Sequence, residues 1–329
     1  MMSDPALPTI EKLARDPDAY RRAAIGFPSA RAAFTEALRA LRLAPGERVL
    51  LPAFVGWSAR EGSGVFDPIR ELGLAHAFYR VSERLEADVQ HVEELLRRGD
   101  AAVVVIIHYF GRAEPQSAAI AALARAHGAT LIEDEAHALY TDLVAGATGR
   151  LGDACLLSLH KMLPQPTGGV LLLNPSADAR LRSLADRDGA GGVALPGSWD
   201  LAGIAARRRE NVAALEAALD ASLAEGLAEE VEPLWRAEGD ASVLQTYPVL
   251  VRRASRDALY HAMNAAGFGV VSLYHTLIDQ LSAAEFPASH TLAKRIMNLP
   301  VHQDATPAQM TALVGELGRQ LRSVPRAAT

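Results

Sequence analysis

Cysteine is almost absent. Cys155 stands alone in 329 residues, so no internal disulfide can staple the chain, which suits a reducing compartment. No basic run suggests a nucleic-acid partner. The densest positive cluster is Arg207-Arg208-Arg209, expected on a solvated helix face, and the formal net charge is −6. The longest apolar run, Ala101 to Ile107, falls far short of the ~18 residues of a membrane span. The opening residues, MMSDPALPTIEKLARDPDAY, lack the basic and apolar regions of a signal peptide. The expectation is a soluble cytoplasmic protein that engages neither nucleic acid nor membrane. Several catalytic signatures are missing too. There is no GxxxxGK[ST] phosphate loop, no HExxH helix and no GxSxG elbow. Gly62-Ser63-Gly64 follows no strand and is a poor dinucleotide fingerprint. The ten histidines show no metal-ligand rhythm, so no metal is expected.

What is present is a rhythm. Short apolar runs lie at Arg48 to Phe54, Ala75 to Val81, Ala101 to Phe110, Ala129 to Glu135, Ala154 to His160 and Gly168 to Asn174. Bounded by Gly, Pro or charge, they read as buried strands. Between them, Ser29 to Leu43, Glu86 to Arg98 and Pro115 to His127 carry helical patterns, the last stopped by Gly128. Strand and helix in alternation mean an α/β fold with a mostly parallel sheet covered on both faces. After Asn174 the character changes. A Gly-rich bend at Gly189 to Gly192 precedes a helix at Leu201 to Leu223. A strand at Val243 to Val251, a helix at Ser255 to Ala266, a strand at Phe268 to Tyr274 and a helix from Pro307 to Leu321 follow. The expected organisation is a large domain over 1–190, including an N-terminal arm, and a smaller C-terminal α/β domain over 191–329.

Reactive groups of an open parallel sheet gather at the carboxyl ends of its strands. Asp134 stands at one such end, Ser158 and His160 at another, and Lys161 follows immediately, 27 residues beyond Asp134. This set suits pyridoxal 5'-phosphate (PLP). A lysine amine is needed to hold that cofactor as a Schiff base and then to move the Cα proton. A carboxylate such as Asp134 is needed beside the pyridine nitrogen, because a protonated ring is the better electron sink. A phosphate needs hydroxyls and the backbone N–H groups of a helix N-terminus, which Ser29-Ala30 and Ser158 offer. A flat ring needs an aromatic face, from Trp57 or Phe54.

The stretch from Leu43 to Asn174 resembles the DegT/StrS-type keto-sugar aminotransferases, within the fold-type I PLP enzymes. LAPGERVLLPAF is similar to that family's GPGDEVIVPSF, and VVVIIHYFGRAEP to VIPVHLYGQPA. HGATLIEDEAHAL is similar to HGLLVIEDAAQAL. GRLGDACLLSLHKMLPQPTGGVLLLN matches the run that carries the Schiff-base lysine. Weaker matches at FGVVSLYHTLI and IMNLPVHQDATPAQM extend the likeness to about Leu321. The resemblance implies that Lys161 is the cofactor lysine and Asp134 the pyridine partner. It implies that Ser158 and Ser29 hold phosphate, and that His137, in place of the usual glutamine, lies near the ring hydroxyl. Trp57 lies within a residue of the family's ring-stacking aromatic. The implied activity is amino transfer from an amino acid such as glutamate to a keto-sugar, nucleotide-linked, in a homodimer. Asp153 to Lys161 is tighter than the family's spacing, and the SLHK form echoes other fold-type I groups. This keeps open a PLP lyase, decarboxylase or dehydratase, and a non-catalytic PLP-fold regulator.

Overall fold

In the computed structural model, residues 22–186, 199–224, 226–237, 239 and 241–327 are described. The expected N-terminal arm, the Gly189 to Gly192 bend and the boundary at 190 lie outside them. The first elements are β1 (Ala23–Phe27), α1 (Ala30–Leu41), β2 (Arg48–Pro52), α2 (Phe66–Glu71), β3 (Ala75–Tyr79), α3 (Val89–Leu96) and β4 (Ala101–Ile107). Next come α4 (Ser117–Ala126), β5 (Thr130–Asp134), α5 (Leu139–Leu143), β6 (Ala154–Ser158), α6 (Leu159–Met162), β7 (Gly169–Leu173) and α7 (Ala179–Arg182). The remainder holds α8 (Leu201–Ala224), β8 (Val231–Pro233), β9 (Thr246–Val251), α9 (Arg256–Ala265), α10 (Pro287–Arg295), β10 (Ile296–Pro300) and α11 (Pro307–Leu321).

The main sheet has seven strands in the order β1-β7-β6-β5-β4-β2-β3. Only β7 runs against the rest, pairing antiparallel with both β6 and β1. Its central strands are mostly apolar because both faces are covered, with the polar Glu133, Asp134 and Ser158 towards their carboxyl ends; every residue of β5, β6 and β7 is buried. β1 went unrecognised in the sequence. AAIGF has little β propensity of its own, and its partner β7 lies more than 140 residues away in the chain.

The helices follow the pattern expected. α1 buries Ala33, Phe34, Ala37, Leu38 and Leu41, one face at helical spacing. The Ser29 Oγ accepts from the Ala32 N–H at 3.1 Å and opens it. α11 starts with a capping box between Thr306 and Gln309 and carries a proline at its first position.

The second sheet is antiparallel, in the order β10-β9-β8. Its core draws Leu215 and Leu219 from α8, Leu259 and Met263 from α9, and Leu313 and Leu317 from α11. Two expectations fail here. Residues 268–274 form no strand: Gly269 and Tyr274 take left-handed φ of +57° and +59°, and only Val271 bridges, to Asn298. The strand beside β9 is β10 instead, inside IMNLP. Arg207-Arg208-Arg209 is not wholly a solvated face. Arg208 is buried at 1% exposure, donating to Gln303 Oε1 and to the Leu244 and Gln245 carbonyls and lying over the Tyr140 ring. Helical phase decides this, since α8 turns its middle arginine inward. Cys155 is a small buried residue of β6. Among the described residues, no helix is long and apolar enough to cross a membrane.

Candidate active site

The carboxyl ends of β4, β5 and β6 lie side by side, and β1 ends at the same edge because Phe27 and Ser158 both pair with Gly169. A cavity of about 360 Å³ opens there. That is ample for a small-molecule ligand. Asp134 closes β5. Ser158 closes β6, and the single turn of α6 then presents Lys161. Ser29, two residues past β1, brings the N-terminus of α1 to the same cavity. A Cβ at Gly169 would run into the Ser29–Ala30 peptide, so this glycine lets the helix start press onto the sheet.

The electrostatics follow from crowding. Lys161 is wetted through the cavity mouth, while protein packs around its amine on the other sides. That desolvation lowers its pKa, and the nearby Asp134 only partly restores it. Burial likewise raises the Asp134 pKa, against the pull of the Ala136 N–H and of Lys161; the Ala136 N–H donates to Asp134 Oδ1 at 2.9 Å. His137 is pushed well below its ordinary value by burial and by Lys161. The Phe110 N–H donates to its Nδ1 at 3.4 Å, so a neutral ring carries its proton on Nε2, which faces Lys161 Nζ at 3.5 Å.

Beneath the site, Glu133 is held ionised. Burial alone would raise its pKa, but the value is lowered by His108 and by the Gly152 and Gly149 amides. The Glu114 N–H donates to His108 Nδ1 at 3.0 Å, leaving His108 Nε2–H to donate to Glu133 at 3.1 Å. His108 is thus a satisfied buried histidine.

All seven residues named from the sequence, Lys161, Asp134, His137, Ser158, Ser29, Ala30 and Trp57, line this one cavity. They do so differently. Trp57 is 43% exposed at the rim, and Phe54, the alternative aromatic, is wholly buried and does not line this cavity. Sequence reasoning passed over several other lining residues, among them Arg31, Glu61, Ser272 and Tyr274. Arg31 donates to the Glu61 carbonyl and lies 3.6 Å from Asp67. The FGVVSLYHTLI match was the available signal for Tyr274.

A seven-stranded, nearly parallel sheet with a lysine and an aspartate at adjacent strand ends defines the class, and comparison with known proteins agrees. The chain belongs to the DegT/DnrJ/EryC1/StrS aminotransferase family, whose model matches residues 8–188 and 200–318. It is 31% identical over 151 residues to the spore coat polysaccharide biosynthesis protein SpsC of Bacillus subtilis. That alignment covers 45% of this chain and 37% of SpsC, little more than a third of the relative's length. The fold is that of the aminotransferase TlmJ from Streptoalloteichus hindustanus, with a TM-score of 0.72 and 22% identity over 91% of this chain and 86% of that one. It is also that of Spr1654 from Streptococcus pneumoniae, solved in a PMP form and a PLP form. The latter has a TM-score of 0.70 and 16% identity over 91% of this chain and 87% of that one.

Proposed function

We propose that this protein is a PLP-dependent aminotransferase that moves an amino group from glutamate to a keto-sugar carried on a nucleotide. The observation that carries the reading is the meeting of Lys161, Asp134 and the N-terminus of α1 in one cavity. The donor set fits the cofactor. It offers an amine of lowered pKa, a buried carboxylate, and two serine hydroxyls with the free amides of a helix start, and a glycine keeps that start pressed to the sheet. The PLP and PMP forms of Spr1654 and the polysaccharide role in the name of SpsC support the cofactor and the sugar class.

Bound at Lys161, PLP supplies an electron sink for charge developing at the donor's Cα. The residues do the rest. Lys161, once the donor amine has displaced it and with its own pKa lowered by burial, would take the Cα proton as a general base and pass it to the cofactor's C4′ carbon. Asp134 holds a proton on the pyridine nitrogen. Ser29, Ala30 and Ser158 bind the phosphate, which the helix N-terminus favours. His137 keeps a proton beside the lysine amine and sits by the ring hydroxyl, and Trp57 edges the mouth. The working unit in this reading is a homodimer, which sedimentation would show as twice the chain mass.

The test is an absorbance spectrum of the purified protein with PLP, before and after L-glutamate. The expected result is a visible band from the lysine-bound cofactor that disappears as the pyridoxamine form accumulates. A band unmoved by glutamate and by every other amino donor would replace transamination with lyase chemistry. No band at all would overturn the cofactor assignment.

A further inference from the structure

An irregular segment between α9 and α10, residues 271–278, pairs with the chain just past β2. The Trp57 N–H donates to the Thr276 carbonyl at 2.9 Å and the Ile278 N–H to the Val55 carbonyl at 3.0 Å. The bridge between Gly56 and Leu277 lies between them. From the other side, the Leu273 N–H donates to Asn298 Oδ1 at 3.1 Å. This clamp holds Tyr274 at φ +59°, a left-handed conformation that a bulky side chain avoids unless its surroundings over-determine it. The surroundings do so here. Phe54 stacks on Tyr274 at 5.3 Å between centroids with planes 25° apart. Tyr109, Phe110 and His137 meet it edge-on at 5.4, 5.7 and 6.0 Å. Phe54 therefore stacks on the Tyr274 ring, three further rings stand roughly perpendicular around it, and Tyr274 lines the cavity together with Asp134 and Lys161.

Gly56 is the sequence partner of this arrangement. A Cβ there would sit 2.9 Å from Tyr274 Cδ1 and 3.3 Å from its Cα, so only glycine leaves the ring in place. Trp57 offers a contrast. It is exposed at the rim, and among the described residues no aromatic ring packs against it to fix its plane.

We infer that Tyr274, seated in the space that Gly56 leaves and backed by Phe54, is the aromatic residue that packs against the planar ring of the ligand, in place of Trp57. The inference rests on the proposed cofactor reading. Its physical basis is preorganisation: a ring already locked by four neighbours loses little freedom on binding, whereas a free rim indole must be ordered first. Burial and the adjacent Asp134 carboxylate also push the Tyr274 phenol above its ordinary pKa, so the ring stays neutral through the working range. Tyr274 is a positioning residue here, and no proton transfer is assigned to it.

The test is equilibrium titration of the purified full-length protein, freed of cofactor, with PLP, read by quenching of protein fluorescence and by the circular dichroism induced in bound PLP. Tyr274→Leu should weaken binding at least about tenfold and flatten the induced signal, whereas Tyr274→Phe should restore both. Gly56→Ala, which displaces the ring without removing it, should weaken binding several-fold in the wild-type background and have no effect in the Tyr274→Leu background. Trp57→Ala should cost less than Tyr274→Leu. Thermal melts of the cofactor-free variants check that each is folded, and Gly56→Ala carries the test if Tyr274→Leu is not. The inference is overturned if wild type binds PLP while Tyr274→Leu stays within twofold of it, or if Trp57→Ala costs as much. If wild type does not bind PLP, the cofactor reading falls and this inference with it.

Discussion

Asp134 and Lys161 reach the cavity from the ends of buried strands, whereas Tyr274 reaches it from a clamped, irregular segment between α9 and α10. The first wall is regular. Its strands are buried on both faces and mostly apolar, so their limits show in composition, and the residues at or just past each strand end must fall at the sheet's edge. The second wall obeys no period. It is held by hydrogen bonds to Val55, Trp57 and Asn298, by a glycine opposite, and by four rings from three other segments. A parallel sheet thus places the charged chemistry by rule, and individual packing contacts place the aromatic surface.

The sharpest break in that comparison is Lys161→Ala. The visible lysine-bound band should vanish, and amino transfer should fall by on the order of 10²–10⁴-fold or more; stopped-flow and steady-state assays would show it. Asp134→Asn removes the charge and keeps the shape. Its expected cost is on the order of 10²–10³-fold in kcat, with the lysine-bound band still formed. A variant that kept the wild-type rate would separate the second strand end from the chemistry.

Leu219→Ala probes the other region. It hollows the core that α8 shares with the second sheet and should cost about 2–5 kcal/mol in denaturant unfolding. PLP stoichiometry should be unchanged, because the residue touches no cavity wall.

The smallest effect concerns a buried acid beneath the first wall. Neither oxygen of Glu135 makes a hydrogen bond of good geometry, the Thr148 hydroxyl giving it only slight support, and an Asp142 oxygen and the Cys155 sulfur lie within 4.8 Å. Asp142 itself is gripped by Arg22 and Arg150, so a proton on Glu135 is what lets the two carboxyls coexist. Burial first, and Asp142 and Glu133 next, raise the Glu135 pKa well above the carboxylate range. The sign is set by this shift. Above the ordinary carboxylate pKa the unfolded chain gives up this proton while the folded chain keeps it, so stability is lost as pH rises towards the folded value. Glu135→Gln, permanently neutral, should remove that slope. Melting curves from pH 4 to pH 8 should diverge by on the order of a few degrees at the upper end, with the variant higher. Parallel curves would mean that Glu135 is already ionised at neutral pH.

Local patterning alone was enough for the large sheet's inner strands, the helices α1, α4, α8 and α11, and the strand ends bearing Asp134 and Lys161. Those features are written in periodicity, caps and apolar runs, and the motifs around them are contiguous. Long-range packing was needed to make AAIGF a strand, since its pairing energy comes from β7 across more than 140 residues. Packing also bends residues 268–274 where the pattern suggested extension, and it turns Arg208 inward. It sets Tyr274 against Gly56, more than 200 residues apart in the chain. No local pattern records such a contact, because a glycine and a tyrosine in separate segments become complementary only when the segment between α9 and α10 packs against the sheet.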